Sequence, residues 1–171
     1  MDAAVEIREA GASDVDTIVG IIQASFRGQA EMQGILEAEY PRYVAFTKRP
    51  YVLEALAKGM KAALLYRDGA AIGGIWHTLD RDDPHLGHVS KLAVLPACRG
   101  RGYGEMLFAH AEERLKALGV RRARLTCNAR LAGLHVYYER LGYRKVKQEA
   151  WPTLPFEVLT MDKDLQANSP G

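Results

Sequence analysis

The sequence is poor in cysteine, carries little net charge and contains no long apolar run. Its 171 residues include two cysteines, too few for a disulfide framework and without the spacing of a metal site. The formal net charge of +2 gives no general case for binding nucleic acid or an anionic membrane. No apolar stretch approaches the roughly 20 residues of a membrane-spanning helix, and the N-terminal "MDAAVEIREAGASD" has no signal-peptide core. These absences predict a cytoplasmic protein without metal, nucleic-acid or membrane partners. By their positions in the chain, Cys98 is predicted to be an exposed loop thiol and Cys127 a core residue.

What the sequence does contain is an alternation of strand and helix patterns. A strand at "AVEIREA" precedes a helix with Ser13 as its candidate N-cap. A weaker pattern from Phe26 to Tyr51 leaves room for one more helix before a short helix in "VLEALAKG". The tripeptide "RDG" joins two apolar runs and is a strong β-hairpin signal. The full order is strand, helices, three strands, helix, strand, helix and two strands, which predicts a mixed α/β fold. We expect one domain over residues 1–165 and a frayed tail over residues 166–171.

The stretch "RGRGYG", from Arg99 to Gly104, joins the strand "GHVSKLAVLP" to the start of a helix. At a helix start several amide N–H groups lack partners, and the helix dipole favours an anion. Three glycines remove side chains that would keep a diphosphate at a distance, and two arginines add positive charge. Taken alone, the pattern fits a plain helix-entry turn as well as an anion site. It is not a P-loop, because no Lys-Ser/Thr pair follows, and it is not the dinucleotide fingerprint, which belongs to a parallel strand–helix–strand unit.

Together with its neighbours, this stretch resembles a known family. "RGRGYG" matches the Arg/Gln-x-x-Gly-x-Gly/Ala signature of the GCN5-related N-acetyltransferases (GNAT). "VSKLAVLP" resembles the family's fourth strand, and "LHVYYERLGY" resembles its closing helix-and-strand motif, so that three motifs occur in order over roughly residues 87–144. The resemblance implies an α/β fold whose mixed central sheet is mostly antiparallel, splayed between strands 4 and 5, and flanked by helices. It also implies transfer of an acetyl group from acetyl-coenzyme A to a primary amine, by direct attack in a ternary complex and without a metal.

By this resemblance, the coenzyme is held mainly by backbone groups. The loop amides bind its diphosphate, and the free edge of the fourth strand pairs with its pantetheine arm. A backbone N–H near Leu92 is the implied donor to the oxyanion. Asn128 either hydrogen-bonds the pantetheine amides or caps the following helix. The implied coenzyme-binding residues are Leu92, Ala93, Val94, Arg99, Gly100, Arg101, Gly102, Tyr103, Gly104 and Asn128.

Two side chains are candidates for proton transfer. Tyr138 matches the tyrosine that the family places before the charged pair leading to Leu-Gly-aromatic, and it is predicted to protonate the departing thiolate. The alternatives are that Tyr138 is a core residue or that Tyr137 takes its place. His88, at the start of the fourth strand, is the candidate general base because imidazole titrates near neutral pH. The alternatives for the base are His77, Asp80 and His85.

The amine acceptor, a small molecule or a peptide, is the least defined part of the sequence. The resemblance places its cleft among residues 26–51, the loop "DRDDPH" and residues 151–156, and it leaves a homodimer open. Acidic side chains there would favour a cationic amine, and a solvated polar surface is the alternative. Two other functions compete: a coenzyme A-binding regulatory domain without catalysis, and nucleic-acid binding through "RGRGYG" and "VRRAR", which lack interleaved aromatics. The candidate aromatic and acidic side chains of the acceptor cleft are Tyr40, Tyr43, Phe46, Tyr51, Trp151, Glu31, Glu37, Glu39, Asp80, Asp82 and Asp83.

Overall fold

The computed structural model describes residues 4–166, which form a mixed α/β domain. The strands are β1 (Val5–Ala10), β2 (Lys61–Arg67), β3 (Ala70–Leu79), β4 (Leu86–Val94), β5 (Arg122–Asn128), β6 (Arg144–Ala150) and β7 (Glu157–Asp164). The helices are α1 (Val15–Met32), α2 (Arg49–Ala57), α3 (Tyr103–Ala117) and α4 (Ala132–Arg140). Of the tail predicted over residues 166–171, residues 167–171 lie outside the described part. Within residues 4–166, no helix is both long enough and apolar enough to cross a bilayer.

The seven strands form one sheet in the order β1-β2-β3-β4-β5-β7-β6. Every neighbouring pair is antiparallel except β4 and β5, which run parallel. The parallel pairing covers only the first three residues of each strand, Leu86–His88 against Arg122–Arg124. Beyond that point the two strands separate, so that the predicted mixed and splayed sheet is confirmed.

The hairpin between β2 and β3 forms where "RDG" predicts it. Asp68 and Gly69 have φ angles of 50° and 81°. Positive φ at both central residues defines a type I′ turn, which matches the twist of two antiparallel strands. Asp68 is one of two non-glycine residues with positive φ among residues 4–166, and the other lies on β4.

Helices cover both faces of the sheet, and each face has its own apolar cluster. On one face, α3 contributes Leu107, Ala111 and Leu115 to the larger cluster, and Tyr137 and Tyr138 of α4 pack against it. On the other face, helices α1 and α2 pack on Trp76, Leu64 and Ala93. Because neighbouring strand residues point to opposite faces, β4 supplies side chains to both clusters. The gap next to β4 therefore lies between α1 and α2 on one face and α3 and α4 on the other.

Several sequence predictions differ from the structure in extent or exposure. Helix α1 starts after a 3-10 turn at Ala12–Asp14, without a side-chain cap from Ser13, and it continues to Met32. Residues 33–48 therefore contain a single 3-10 turn, Val44–Phe46, in place of a further helix. Cys98, predicted to be an exposed thiol, is 5% exposed. It lies in the 3-10 turn Pro96–Cys98 that follows β4, and it packs into the α3 cluster.

Candidate active site

The gap between β4 and β5 widens into a cavity of about 1480 Å³. Its walls include the second half of β4, the last residues of β5, and parts of all four helices. The cavity also reaches the segment 151–156 between β6 and β7. A single opening thus brings together the glycine loop, the edge of β4 and the two tyrosines of α4.

The glycine loop leaves a helix start open at one end of this cavity. Gly100 and Gly102 have φ angles of 78° and 83°, a region that residues with a Cβ rarely enter. The amide of Met106 donates to the carbonyl of Gly102 at 3.2 Å and closes the first turn of α3. The three preceding amides, those of residues 103–105, therefore lack a helical acceptor. Because partial positive charge gathers at such an end, the loop and α3 can bind an anion through backbone groups.

Gly104 serves a different purpose from Gly100 and Gly102. A Cβ at Gly104 would collide with the hydroxyl of Tyr137, whereas a Cβ at Gly100 would meet no atom within 4 Å. The absence of a side chain at Gly104 therefore lets α4 pack against the first turn of α3. Burial raises the pKa of Tyr137 to about 12. Local sequence patterns do not predict this contact, because it joins residues that lie far apart in the chain.

The two arginines of the loop differ in what they contact. The Nε of Arg99 donates to the carbonyl of Val94 at 3.1 Å, and its guanidinium donates to the carbonyl of Ser25 on α1 at 2.6 Å. Arg99 thereby ties the loop both to the end of β4 and to α1. Arg101 is exposed and does not line the cavity, although the other five residues of the predicted loop do.

The three predicted residues of β4 present different groups to the gap. The amide of Leu95 donates to Ile72 on β3 at 2.9 Å. Strand alternation therefore turns the backbone groups of Val94 away from β3 and those of Ala93 toward it. The side chain of Ala93 is buried against α1. Leu92 and Val94 are thus the two predicted residues whose backbone groups face the open side.

Tyr138 lies in the cavity wall with its ring against the apolar core. Its ring centre is 5.7 Å from that of Phe108 and 5.5 Å from that of Tyr137. Burial raises the pKa of the Tyr138 phenol, and the same effect raises the pKa of the neighbouring Cys127 thiol to about 11. The phenol is protonated at neutral pH and is available as a hydrogen-bond donor to the cavity.

Asn128 ends β5 at the cavity and is 8% exposed. Its Oδ1 accepts a hydrogen bond from the amide of Arg130 at 2.9 Å, and its Nδ2 donates to Oε1 of Gln33 at 2.8 Å. The side chain therefore orders the turn before α4 and links it to the end of α1. This arrangement resembles the capping alternative, although the bond falls in the turn that precedes the helix.

His88 lies outside the residues that line the cavity. Its Nε2 is 2.6 Å from Oδ1 of Asp80, which follows β3, and His88 lies near the start of β4, where β4 and β5 are still paired. That hydrogen bond and the amides of Asp82 and Asp83 lower the pKa of Asp80 to about 2. The alternative bases His77 and His85 do not line the cavity either. Among residues 4–166, no cluster of three or more His, Cys, Asp or Glu side chains could hold a metal ion.

The wall next to α2, here called the α2 side, includes Tyr51, Lys58 and Lys91 and carries unpaired positive charge. Four of the five predicted aromatic residues line the cavity, and Tyr40 does not. None of the six predicted acids lines it. Among the polar residues that sequence reasoning missed is Lys91, which lines the cavity from within β4. No periodic pattern distinguishes Lys91, because its exposure depends on an irregularity in the strand.

The sheet thus opens beside a glycine-bounded helix start, with a buried phenol across the gap, which is an arrangement that can be compared with known folds. A family model described as the acetyltransferase (GNAT) family matches residues 29–143. The match covers more than half of the chain, and the chain belongs to this family. A search of curated proteins returns no match.

Solved structures with the same fold extend over nearly the whole chain. The PaiA N-acetyltransferase from Thermoplasma acidophilum, in complex with coenzyme A, has a TM-score of 0.75 and 17% identity, covering 94% of this chain and 99% of that one. YncA from Salmonella typhimurium, a putative acetyltransferase with acetyl-CoA, has a TM-score of 0.73 and 15% identity, covering 98% of each chain. The ribosomal-protein-alanine N-acetyltransferase from Brucella melitensis has a TM-score of 0.69 and 17% identity, covering 93% and 99%. At these identities the likeness concerns the fold.

Proposed function

We propose that the protein transfers an acetyl group from acetyl-coenzyme A to a primary amine by direct attack within a ternary complex. The observation that carries this proposal is the separation of β4 from β5 after three residue pairs, next to the open start of α3. A gap of this kind offers an unpaired strand edge and a set of free amides to the same ligand. Two solved structures with this fold contain coenzyme A or acetyl-CoA.

The residues on the α3 side fit such a ligand. The amides of residues 103–105 and the loop over Arg99–Gly104 would bind the diphosphate, with Arg101 as an outer charge. The free edge of β4 at Leu92 and Val94 would hydrogen-bond the pantetheine amides as a neighbouring strand does. Ala93 would contribute through packing, and Asn128 would fix the turn on the opposite side of the gap.

Proton transfer at this site is assigned to Tyr138. In the reaction the amine nitrogen forms a bond to the acetyl carbon, the carbon–sulfur bond breaks, and the sulfur takes up a proton. Tyr138 would donate that proton, because its phenol lies in the wall of the gap. Burial raises the pKa of both a phenol and a thiol, as Tyr138 and Cys127 show side by side. The raised phenol pKa therefore does not by itself prevent donation to a thiolate in the same surroundings.

Removal of the amine proton is not assigned to His88. The imidazole of His88 is hydrogen-bonded to Asp80, and His88 lies outside the cavity wall. The acceptor would bind as the neutral amine, or lose its ammonium proton to water at the cavity mouth. The attacking nitrogen loses one further proton as the amide forms, and this proton would replace the one that Tyr138 donates to sulfur.

Two measurements in sequence test the proposed function. Coenzyme A at a hundred times its dissociation constant should stabilise the fold by about 2.7 kcal/mol, and pantetheine, which lacks the diphosphate, should stabilise it far less. Release of free thiol from acetyl-coenzyme A in the presence of a panel of amines should then identify turnover. Binding of coenzyme A without turnover of any amine would instead indicate a regulatory domain. No binding at all would refute the proposal.

A further inference from the structure

Positive charge on the α2 side of the cavity is only partly neutralised by the protein. Lys58 pairs with Glu54 at 2.7 Å, and Lys48 pairs with Glu37 at 2.9 Å. Among residues 4–166, Lys91 has neither an ion pair nor a hydrogen bond from its ammonium group. The other carboxylate that lines the cavity, that of Glu105, belongs to α3 on the other side of the sheet. Lys91 is therefore a cation without a counter-ion.

An irregularity in β4 directs Lys91 into the cavity. Ser90 pairs with Trp76 and Ala93 pairs with Gly74, so that two residues of β4 lie opposite one residue of β3. Lys91 occupies this β-bulge with a φ of 53°, in the left-handed region that a residue with a long side chain rarely adopts. Bulges change the direction in which a side chain points, and unusual backbone conformations gather at functional sites.

The ammonium group of Lys91 lies over an aromatic ring. The Nζ of Lys91 lies 5.6 Å from the centre of the Tyr51 ring, within the range of a cation–π contact. Tyr51 in turn stacks on the buried Trp76, with ring centres 6.2 Å apart and planes inclined by 14°. Burial lowers the pKa of Lys91, because a charged ammonium loses hydration there. A negatively charged ligand would stabilise the charged ammonium in place of the water that it has lost.

We propose that Lys91 binds the carboxylate of the acceptor, and that the acceptor is a free amino acid. The proposal rests on the proposed function, since it concerns the second substrate of the same cavity. Lys91 directly precedes Leu92, whose backbone faces the gap, and consecutive Cα atoms lie about 3.8 Å apart. A ligand that carries both an amine and a carboxylate could therefore contact the edge of β4 and the ammonium in the same cavity.

The test compares each protein amino acid with its α-carboxamide, which keeps the amine and the side chain and lacks the charge. For at least one amino acid, we expect kcat/KM to exceed that of its carboxamide by about tenfold to a hundredfold, the range of a charge-assisted hydrogen bond. The carboxamide also represents the N-terminus of a peptide. If no amino acid is preferred over its carboxamide, the proposal is wrong, whatever the activity of the enzyme.

Substitutions at Lys91 assign the preference to this residue. Lys91→Met should reduce kcat/KM for the amino acid to about the value for its carboxamide, mainly through KM, and Lys91→Arg should retain part of the preference. Lys61→Met, which removes an exposed lysine at the start of β2, is the matched control and should change neither value. If Lys91→Met instead lowered kcat equally for the acid and the carboxamide, Lys91 would act as a base and the proposal would be overturned.

A binding measurement separates this proposal from the proposed function. Calorimetry in the presence of coenzyme A should show tighter binding of the amino acid than of its carboxamide, whether or not acetyl transfer occurs. A protein that showed this preference but transferred no acetyl group would contradict the proposed function alone. A protein that acetylated amines without the preference would contradict the assignment of Lys91 alone.

Discussion

The two sides of the cavity differ in the kind of group that they offer to a ligand, which is the backbone on one side and side chains on the other. On the α3 side, the groups that would bind the coenzyme are backbone amides and carbonyls, placed by glycines and by the parting of β4 from β5. On the α2 side, the groups that face the gap are side chains, among them Tyr51 and Lys91. Backbone groups are the same in every sequence, whereas side chains can change without altering the fold. The first side can therefore bind a ligand shared by a whole family, and the second can distinguish one acceptor from another.

The largest expected effect comes from filling the space at Gly104. Gly104→Ala should weaken coenzyme A binding by about a hundredfold, or ~2.7 kcal/mol, because the new Cβ displaces either α4 or the first turn of α3. Adding Tyr137→Phe should restore most of the affinity, since the next ring atom would lie 3.5 Å from that Cβ, an ordinary contact. Calorimetry with coenzyme A measures both values.

Gly133 provides the control for that substitution. It lies in α4, where an added Cβ would meet no atom within 4 Å, and its φ is not positive. Gly133→Ala should therefore leave the affinity for coenzyme A unchanged. A double variant at positions 104 and 137 that bound as poorly as Gly104→Ala alone would show that the hydroxyl is not the source of the conflict.

A smaller effect is expected at Tyr138, and it concerns turnover rather than binding. Tyr138→Phe should reduce kcat at least about tenfold, or ~1.4 kcal/mol, and leave the affinity for coenzyme A nearly unchanged. Tyr137→Phe is the matched variant, because it removes a hydroxyl from the adjacent residue of the same helix. Steady-state kinetics with a saturating amine measure the difference. Equal losses in the two variants, or none, would remove Tyr138 from the mechanism.

Acid should destabilise the layer between the sheet and α3. Burial lowers the pKa of His77 on β3 and of His110 on α3, and the neighbouring Arg114 adds to the effect. A histidine whose pKa is lower in the folded state contributes stability above its unfolded pKa of about 6.5 and loses that contribution as the pH falls further. The melting temperature should therefore drop by a few degrees between pH 7.5 and pH 5.5.

Substituting one of these histidines isolates the cause. His110→Gln should reduce the difference between the melting temperatures at the two pH values. Asp80, with a pKa of about 2, loses its contribution only at much lower pH and does not interfere. An unchanged difference in the variant would place the pH dependence elsewhere.

The smallest effect is expected at His88. Because His88 lies outside the cavity wall and is bound to Asp80, His88→Ala should keep kcat/KM within about twofold and leave the acidic limb of the pH–rate profile in place. A displaced acidic limb would restore the sequence-based assignment of His88 as the base, and it would move the reacting amine toward the paired end of β4.

The same contrast explains what the sequence could predict. The glycine spacing, the hairpin at "RDG" and the order of elements along the chain follow from local rules. The mixed and splayed sheet was implied by the family resemblance, and it is confirmed. The α2 side depends on contacts between distant residues, and local patterns carry no information about them. Lys91 illustrates the difference, since its direction depends on a bulge that changes the alternation of a regular strand. The acids predicted for the acceptor cleft do not line it, because proximity in the chain to cleft-forming segments does not fix where a side chain points.

The short pairing of β4 with β5 divides the sheet into two wings joined by three residue pairs. Strands β1 to β4 form one wing and β5 to β7 form the other, and each is a continuous antiparallel ladder. Beyond these three pairs, the amides of β4 and β5 that face the gap have no partner on the opposite strand, so their deuterium uptake should be fast. A ligand bound between β4 and β5 would take the place of a strand. It should slow amide exchange in both parts of the sheet and cause the two parts to unfold together.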